Sequence, residues 1–509
     1  MAITVQGPTG VFQPSYPDII DKYGVVTKMF TSSFKEYFTS SGAASYSVNK
    51  SLRFRASASA YLTRTPATAT NQKTWTWSGW VKRGALADAQ VFGGDNGSSS
   101  FLTLQLNSDN LILVAYGGSG NPLFGFNTSA VFRDPAAWYH VVLAFDTTQA
   151  TASARARLFI NGVEQTVVAR GGYPSGTPAL NTDYAVNGVV QHRIGATLAG
   201  ASYYDGELAE VNFVDGYPTG VTSGTWAATN VSTIFGASSI YNQWLPIRYA
   251  GTYGTNGFYL PFTNTTSTST LVADSSGNAN NWTPNNISLT AGSTYDSLTD
   301  VPTLTSETVA NYAVLNPLDA ATTTGVSSNG NLSWTNSAAT HQCIRGSIAI
   351  PATGAYYFEA INVTSNNATI GMALGLGAST ASLTVNMGGG QANVFSFYSG
   401  GNANSYLVSG TTTLATFVGG AFVANDVIQL AVDTTNTKMW LGKNNVWYNS
   451  TGGTTGNPTT GANPTFTTSM VGLFPMTEVF TNTVHINFGQ QPFTYTAPSG
   501  FLPLNTFNI

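Results

Sequence analysis

The sequence predicts an all-β protein of two sandwich domains, and three observations carry that expectation. Residues 140–164, HVVLAFDTTQATASARARLFINGVE, alternate as a strand, break at Asp146-Thr147-Thr148, alternate again from Arg155 to Ile160, and turn at Asn161-Gly162. That is a β-hairpin followed by a second turn. Residues 427–447, VIQLAVDTTNTKMWLGKNNVW, repeat the same plan far along the chain. Charged residues make up only 8% of the chain, against roughly 25% in ordinary soluble proteins. Solubility therefore rests on neutral polar groups, in a strand-and-turn composition poor in helix formers.

At 509 residues the chain exceeds what one core holds and suits two domains with connecting material. Residues 1–16 carry Gly and Pro without periodicity and read as an extended arm. Ile19, Tyr23, Val26, Phe30, Phe34 and Tyr37 then recur at three and four residues, with Asp18 placed to cap, so a short helix weakened near Gly24 is expected. Its apolar stripe can pack on the adjoining domain or serve, with the arm, as an attachment or oligomer contact.

The first sandwich is expected over residues 51–295. It opens with SLRFRASASAYLTRTP and TWTWSGWVKRG, and continues through FLTLQLN, LILVAYGG and the first hairpin. It closes on HRIGATLAGASYYDGELAEVNFVDGYPTG and a less regular extension, in which GTNGFYLPF can add a strand. In the hairpin's second half Ala156, Leu158 and Ile160 share one face, and Arg155, Arg157 and Phe159 the other. One face is expected to make core and the other to meet solvent. Residues 296–308 read as a linker. The second sandwich is expected over 309–509, through NYAVLNPL, GAYYFEAINV, the second hairpin and VHINFGQQPF. Asn444-Asn445 suits a tight turn because asparagine tolerates positive φ.

TWTWSGWVKR, AWYHVVLAFDTT, RLFINGVE and YYDGELAEVNFVDG, in that order, resemble strands of the LamG/pentraxin-type concanavalin A-like jelly roll. The segments quoted for the second domain resemble the SPRY domain, a related bent sandwich. The pair, joined by GTNGFYLPF and DSSGNANNWTPNN and ending in NFGQQPFTYTAPSGFLPLNT, resembles virion proteins of marine tailed bacteriophages. That resemblance implies two concanavalin A-like β-sandwiches in an exposed tail fibre or adhesin on the virion. It further implies contacts with other virion proteins through residues 1–50, binding of host cell-surface polysaccharide by the sandwiches, and a homo-oligomer. The alternatives are a head-decoration or tail-structural subunit making only protein–protein contacts, and a polysaccharide-degrading enzyme.

Several chemistries find no foothold in the residues. A net charge of -4 with 19 scattered Lys and Arg offers no stripe for a phosphate backbone, so nucleic acid is not an expected partner. The single cysteine, Cys343, excludes a disulfide framework and reads as a small buried apolar side chain. No apolar run approaches the roughly 20 residues of a membrane helix, and with Lys22 the first basic residue no secretory leader is visible. His140, His192, His341 and His485 show no zinc spacing and read as satisfied sheet or surface histidines.

Glycoside hydrolysis needs two carboxyl groups facing across a sugar. The nearest clustering, Asp205, Glu207 and Glu210, puts the two glutamates on opposite faces of a regular strand, so Asp205-Gly206 reads as a turn and both glutamates as rim or solvent positions. LamG-like domains often hold calcium at the sandwich rim, so the resemblance makes Asp95 and Asn96 in GGDNGSSS candidate ligands, while turn formation explains the same residues without a metal. Sugar faces are apolar and their edges hydrogen-bond, so loop aromatics with amide and hydroxyl neighbours are candidate glycan contacts. These are Tyr173, the pair Tyr203 and Tyr204, and Tyr398 with Tyr406.

Overall fold

The computed structural model describes residues 46–509, apart from 98–99, 240–241, 322, 365–370, 401–403 and 418–419, and the backbone of 6–7, 10–11 and 119. The expected helix over 17–37 lies outside the described residues. The chain is all-β, with two face-to-face antiparallel sandwiches.

In the first sandwich one sheet runs Val163–Glu164, Ala156–Ile160, Trp138–Asp146, Thr74–Arg83, Gly206–Asp215, Ser51–Phe54 and Ser297–Leu298, with Phe258–Leu260 also pairing Gly206–Asp215. The facing sheet centres on Asn121–Thr128, Leu111–Gly117, Phe101–Leu106, Ala89–Asp95 and Gln191–Ile194. Period-two patterning turns Trp75, Trp77, Leu143, Phe145, Leu158 and Phe213 inward, where they meet Phe92 and Leu104 of the facing sheet in one core. The hairpin turn falls where expected, with Asn161 at φ 47° and Gly162 at φ 83°.

The expectation of one wet face fails. Val142, Ala144, Phe159 and Val214, on the outer face, are buried beneath Trp226, Val231, Phe235, Tyr249 and Tyr253 of the extension. The extension has no period of its own because it folds as a cover of short 3-10 turns and a small hairpin, Gly236–Ser238 with Trp244–Pro246. Under this cover Arg157 is satisfied by pairing with Glu164 and donating to the Trp226 and Thr229 carbonyls.

The second sandwich stacks a sheet of Leu315–Ala320, Gln342–Gly346, Phe474–Val479, Met372–Gly377, Val394–Gly400, Asn404–Ser409 and Thr412–Phe417 on a second sheet. That sheet contains Ser333–Asn336, Thr483–Asn487, Ala355–Asn362, Val427–Asp433 and Lys438–Lys443. The turn at Asn444 and Asn445 has φ 52° and 64°. The outer face is again covered: Tyr357, Ala431 and Trp440 lie under Phe493, Ala497 and Phe501.

The chain crosses between sandwiches along residues 296–312, and buried charge pins this crossing. Asp296 receives Arg53 Nε at 3.1 Å and Arg55 Nε at 2.8 Å. Asp300 receives Lys82 Nζ at 2.6 Å and the Trp138 indole N–H at 3.0 Å. From the far side, Thr299 N donates to the Gln490 carbonyl at 2.9 Å, and Gln491 Nε2 to the Tyr295 carbonyl at 2.7 Å. Removing either aspartate would strand buried cations, which fixes the crossing segment in place.

Candidate functional site

On the outer face of the first sandwich, the roof of the extension stops short of the crossing segment and leaves a pocket of about 230 Å³. Trp80, Trp138, Asn161, Gln243, Trp244, Pro302 and Asn311 line it. Trp80 lies opposite His140, and Trp138 opposite Lys82, in the ladder between Thr74–Arg83 and Trp138–Asp146, so both tryptophans leave the sheet on its outer side. Asn161 sits at the hairpin turn, Gln243 and Trp244 on the small hairpin, and Pro302 and Asn311 on the crossing segment.

The aromatic wall is held from behind. His140 stacks between Trp80, with centroids 5.0 Å apart, and Trp244, at 6.0 Å. Burial pushes the His140 imidazole down to about 3, so it is neutral in ordinary buffers. The Trp244 indole can only donate, so His140 Nδ1 accepts from it at 2.9 Å, and Nε2 carries the proton shared with Ser78 Oγ at 2.9 Å. Trp138 is fixed through Asp300, and Asn161 Oδ1 accepts His140 N at 2.8 Å. Trp244 also needs two glycines beneath it: a Cβ on Gly162 or Gly236 would sit 2.3 Å or 2.6 Å from its ring. The result is a surface of amides and the half-buried Trp244, backed by the buried Trp80 and Trp138, with no charged side chain in its lining.

The sequence-derived candidates lie elsewhere and do not converge. Tyr204 is 1% exposed and donates to the Lys82 and Glu207 carbonyls, so it has no ring face to offer a sugar. Tyr203 packs on Tyr61. Tyr173 covers Gly125 and donates to Tyr116 Oη at 2.7 Å. Tyr398 and Tyr406 stack at 6.1 Å on the second sandwich, with Tyr398 buried against a loop. Asp95 Oδ1 accepts Gly97 N at 2.8 Å, and Asn96 Oδ1 accepts Ser100 N at 3.2 Å, which is turn chemistry. No group of three or more His, Cys, Asp or Glu gathers as a metal set among the described residues.

The reading of Glu207 and Glu210 as rim or solvent positions requires correction, because both are buried, as is Asp205 beside them. The two glutamates also share a face. The ladder to Thr74–Arg83 shifts register between Ala209 and Asn212, with Glu210 at φ 51°, and this bulge adds one residue. Leu208 and Val211 both point into the core, leaving Glu207 and Glu210 outward. Glu207 lies beside Ser51 and Asp300, and burial holds its carboxyl well above the usual range. Glu210 accepts hydrogen bonds from Tyr46 and Tyr259, and burial raises it to about 6.

A family described as the concanavalin A-like lectin/glucanases superfamily, of laminin G type, matches residues 56–220. Among solved structures, the SPRY domain of human HERC1 is 16% identical over 36% of this chain and 99% of that one, with a TM-score of 0.26. The native heptameric SAP-like pentraxin from Limulus polyphemus is 14% identical over 42% of this chain and 94% of that one, at 0.26. The mouse laminin alpha1 chain, domains LG4-5, is 9% identical over 91% and 96%, also at 0.26. No curated protein matches the chain.

Proposed function

We propose that the chain is a non-enzymatic adhesive protein that binds neutral carbohydrate in the tryptophan pocket, as an exposed component of a tailed-bacteriophage particle. The observation that carries the binding reading is the lining itself. The half-buried Trp244 offers an apolar surface backed by the buried Trp80 and Trp138, Asn161 and Gln243 offer amide edges, and no formal charge is present. A site at a domain junction with fixed side chains binds without an ordering cost. The particle setting is supported by the resemblance of the paired modules to marine phage virion proteins. Catalysis draws no support from Asp205, Glu207 and Glu210, since each is enclosed in protein.

The test is titration of full-length protein with neutral oligosaccharides and host envelope polysaccharide, followed by tryptophan fluorescence. Binding is expected, with Gln243→Ala weakening it several-fold at near-native melting temperature and Trp244→Ala weakening it by at least about tenfold, circular dichroism confirming that the latter stays folded. Binding unchanged in Trp244→Ala would sink the pocket assignment. A protein that joins particles yet binds no glycan would move the reading to a purely architectural subunit.

A further inference from the structure

We propose that Lys82 and Asn311 become joined by an amide bond formed within the folded chain, with Asp300 carrying the proton. Lys82 Nζ, its side chain 2% exposed, lies 2.8 Å from Asn311 Oδ1 and 2.6 Å from Asp300 Oδ2, and 3.3 Å from the Tyr312 carbonyl. The amine therefore lies in hydrogen-bond contact with the carboxamide whose carbon it would attack, beside an acid that can take its proton. Asn311 Nδ2, the leaving nitrogen, is held by the Ala136 carbonyl at 2.9 Å. Lys82 and Asp300 are buried, and Asp300 accepts the Trp138 indole N–H, so the amine and the acid are held away from solvent while Asn311 reaches the pocket edge.

The step balances. Lys82 passes one ammonium proton to Asp300, and the freed Nζ lone pair attacks Cγ of Asn311. The Nζ–Cγ bond forms, the Cγ–Nδ2 bond breaks, and a second Nζ proton goes to Nδ2, which leaves as neutral ammonia. The new amide keeps one hydrogen, and Asp300 ends protonated, able to donate to the amide oxygen. Charge begins as a buried ion pair and ends at zero, the direction a low-dielectric site favours. Burial holds the Asp300 carboxyl above its ordinary range, in keeping with a protonated product. Fixed contact between the reactants supplies the effective concentration that an uncatalysed transamidation lacks. Ammonia has a route out, because Asn311 lines the open pocket. The bond would tie the first sandwich to the entry of the second across 229 positions of sequence.

Intact mass of the full-length protein under denaturing conditions tests this directly. The expected mass is that of the sequence less one ammonia, with digestion yielding a branched peptide that links Lys82 to Asn311. Lys82→Arg, which keeps the cation but cannot react, and Asp300→Asn should both show the full sequence mass, with circular dichroism confirming that they fold. A wild-type mass equal to the sequence mass overturns the proposal. So does an ammonia deficit mapped to an unlinked peptide, the mark of a succinimide at some other asparagine. A branched peptide persisting in Asp300→Asn overturns the role given to Asp300.

Discussion

Asp205 of the first sandwich accepts the backbone N–H of Gly330 in the second at 2.6 Å, and its other oxygen accepts Asn329 N at 2.9 Å. Asn329 and Gly330 stand at φ 59° and 71°, so a carboxylate from one domain organises a tight turn of the other. Asp205→Ala would leave two backbone donors unpaired in the junction, at a cost of about 2–4 kcal/mol. In urea the wild type is expected to unfold in one transition and the variant in two, because the domains lose their coupling. Coincident unfolding curves by fluorescence and circular dichroism in the variant would refute that coupling.

Glu210 sets a pH dependence with a definite sign. Its carboxyl is raised from 4.5 to about 6, chiefly by burial, despite hydrogen bonds from Tyr46 at 2.8 Å and Tyr259 at 2.9 Å. A raised carboxyl contributes stability that is full below the unfolded value and is lost as pH rises through the folded value. Glu210→Gln keeps partners for both tyrosines and removes the titration. Relative to wild type, the variant should gain about 2 kcal/mol between about pH 4 and pH 7. Equal pH profiles from denaturant melts would show that Glu210 does not titrate in this window.

The parts of the fold that were legible in the sequence are those with local causes. The hairpin at 140–164 and the turn at Asn444 and Asn445 follow from alternation and from residues that accept positive φ, and both occur. The covered outer faces were not legible, because residues 217–253 and 493–501 pack as aperiodic covers whose burial depends on the sheet beneath. Nor was the bulge, since Glu210 at φ 51° is an unusual residue for that conformation. The junction joins residues such as Arg53 and Asp296 across 243 positions, and no period connects them. The pocket left one trace. In TWTWSGWVKR, Trp75 and Trp77 share a parity and Trp80 has the other, so one tryptophan had to leave the core side.

Gly162 is where turn geometry and the pocket meet. At φ 83° it occupies backbone that glycine favours, and a Cβ there would stand 2.3 Å from the Trp244 ring. Gly162→Ala therefore carries both strain and a clash, and about 1–3 kcal/mol of stability should be lost. The hairpin itself is fixed by the ladder between Trp138–Asp146 and Ala156–Ile160, so relief must come from Trp244, whose small hairpin is held by fewer bonds. Trp244 is then expected to swing off Gly162, breaking its hydrogen bond to His140 Nδ1 and opening the aromatic wall. Carbohydrate affinity should fall more in Gly162→Ala than in Gln243→Ala, although Gly162 offers no side chain to a ligand. Indole N–H exchange at Trp244, measured by NMR, should quicken in the same variant. Slow exchange with intact affinity would mean that the turn, and not the tryptophan, has yielded.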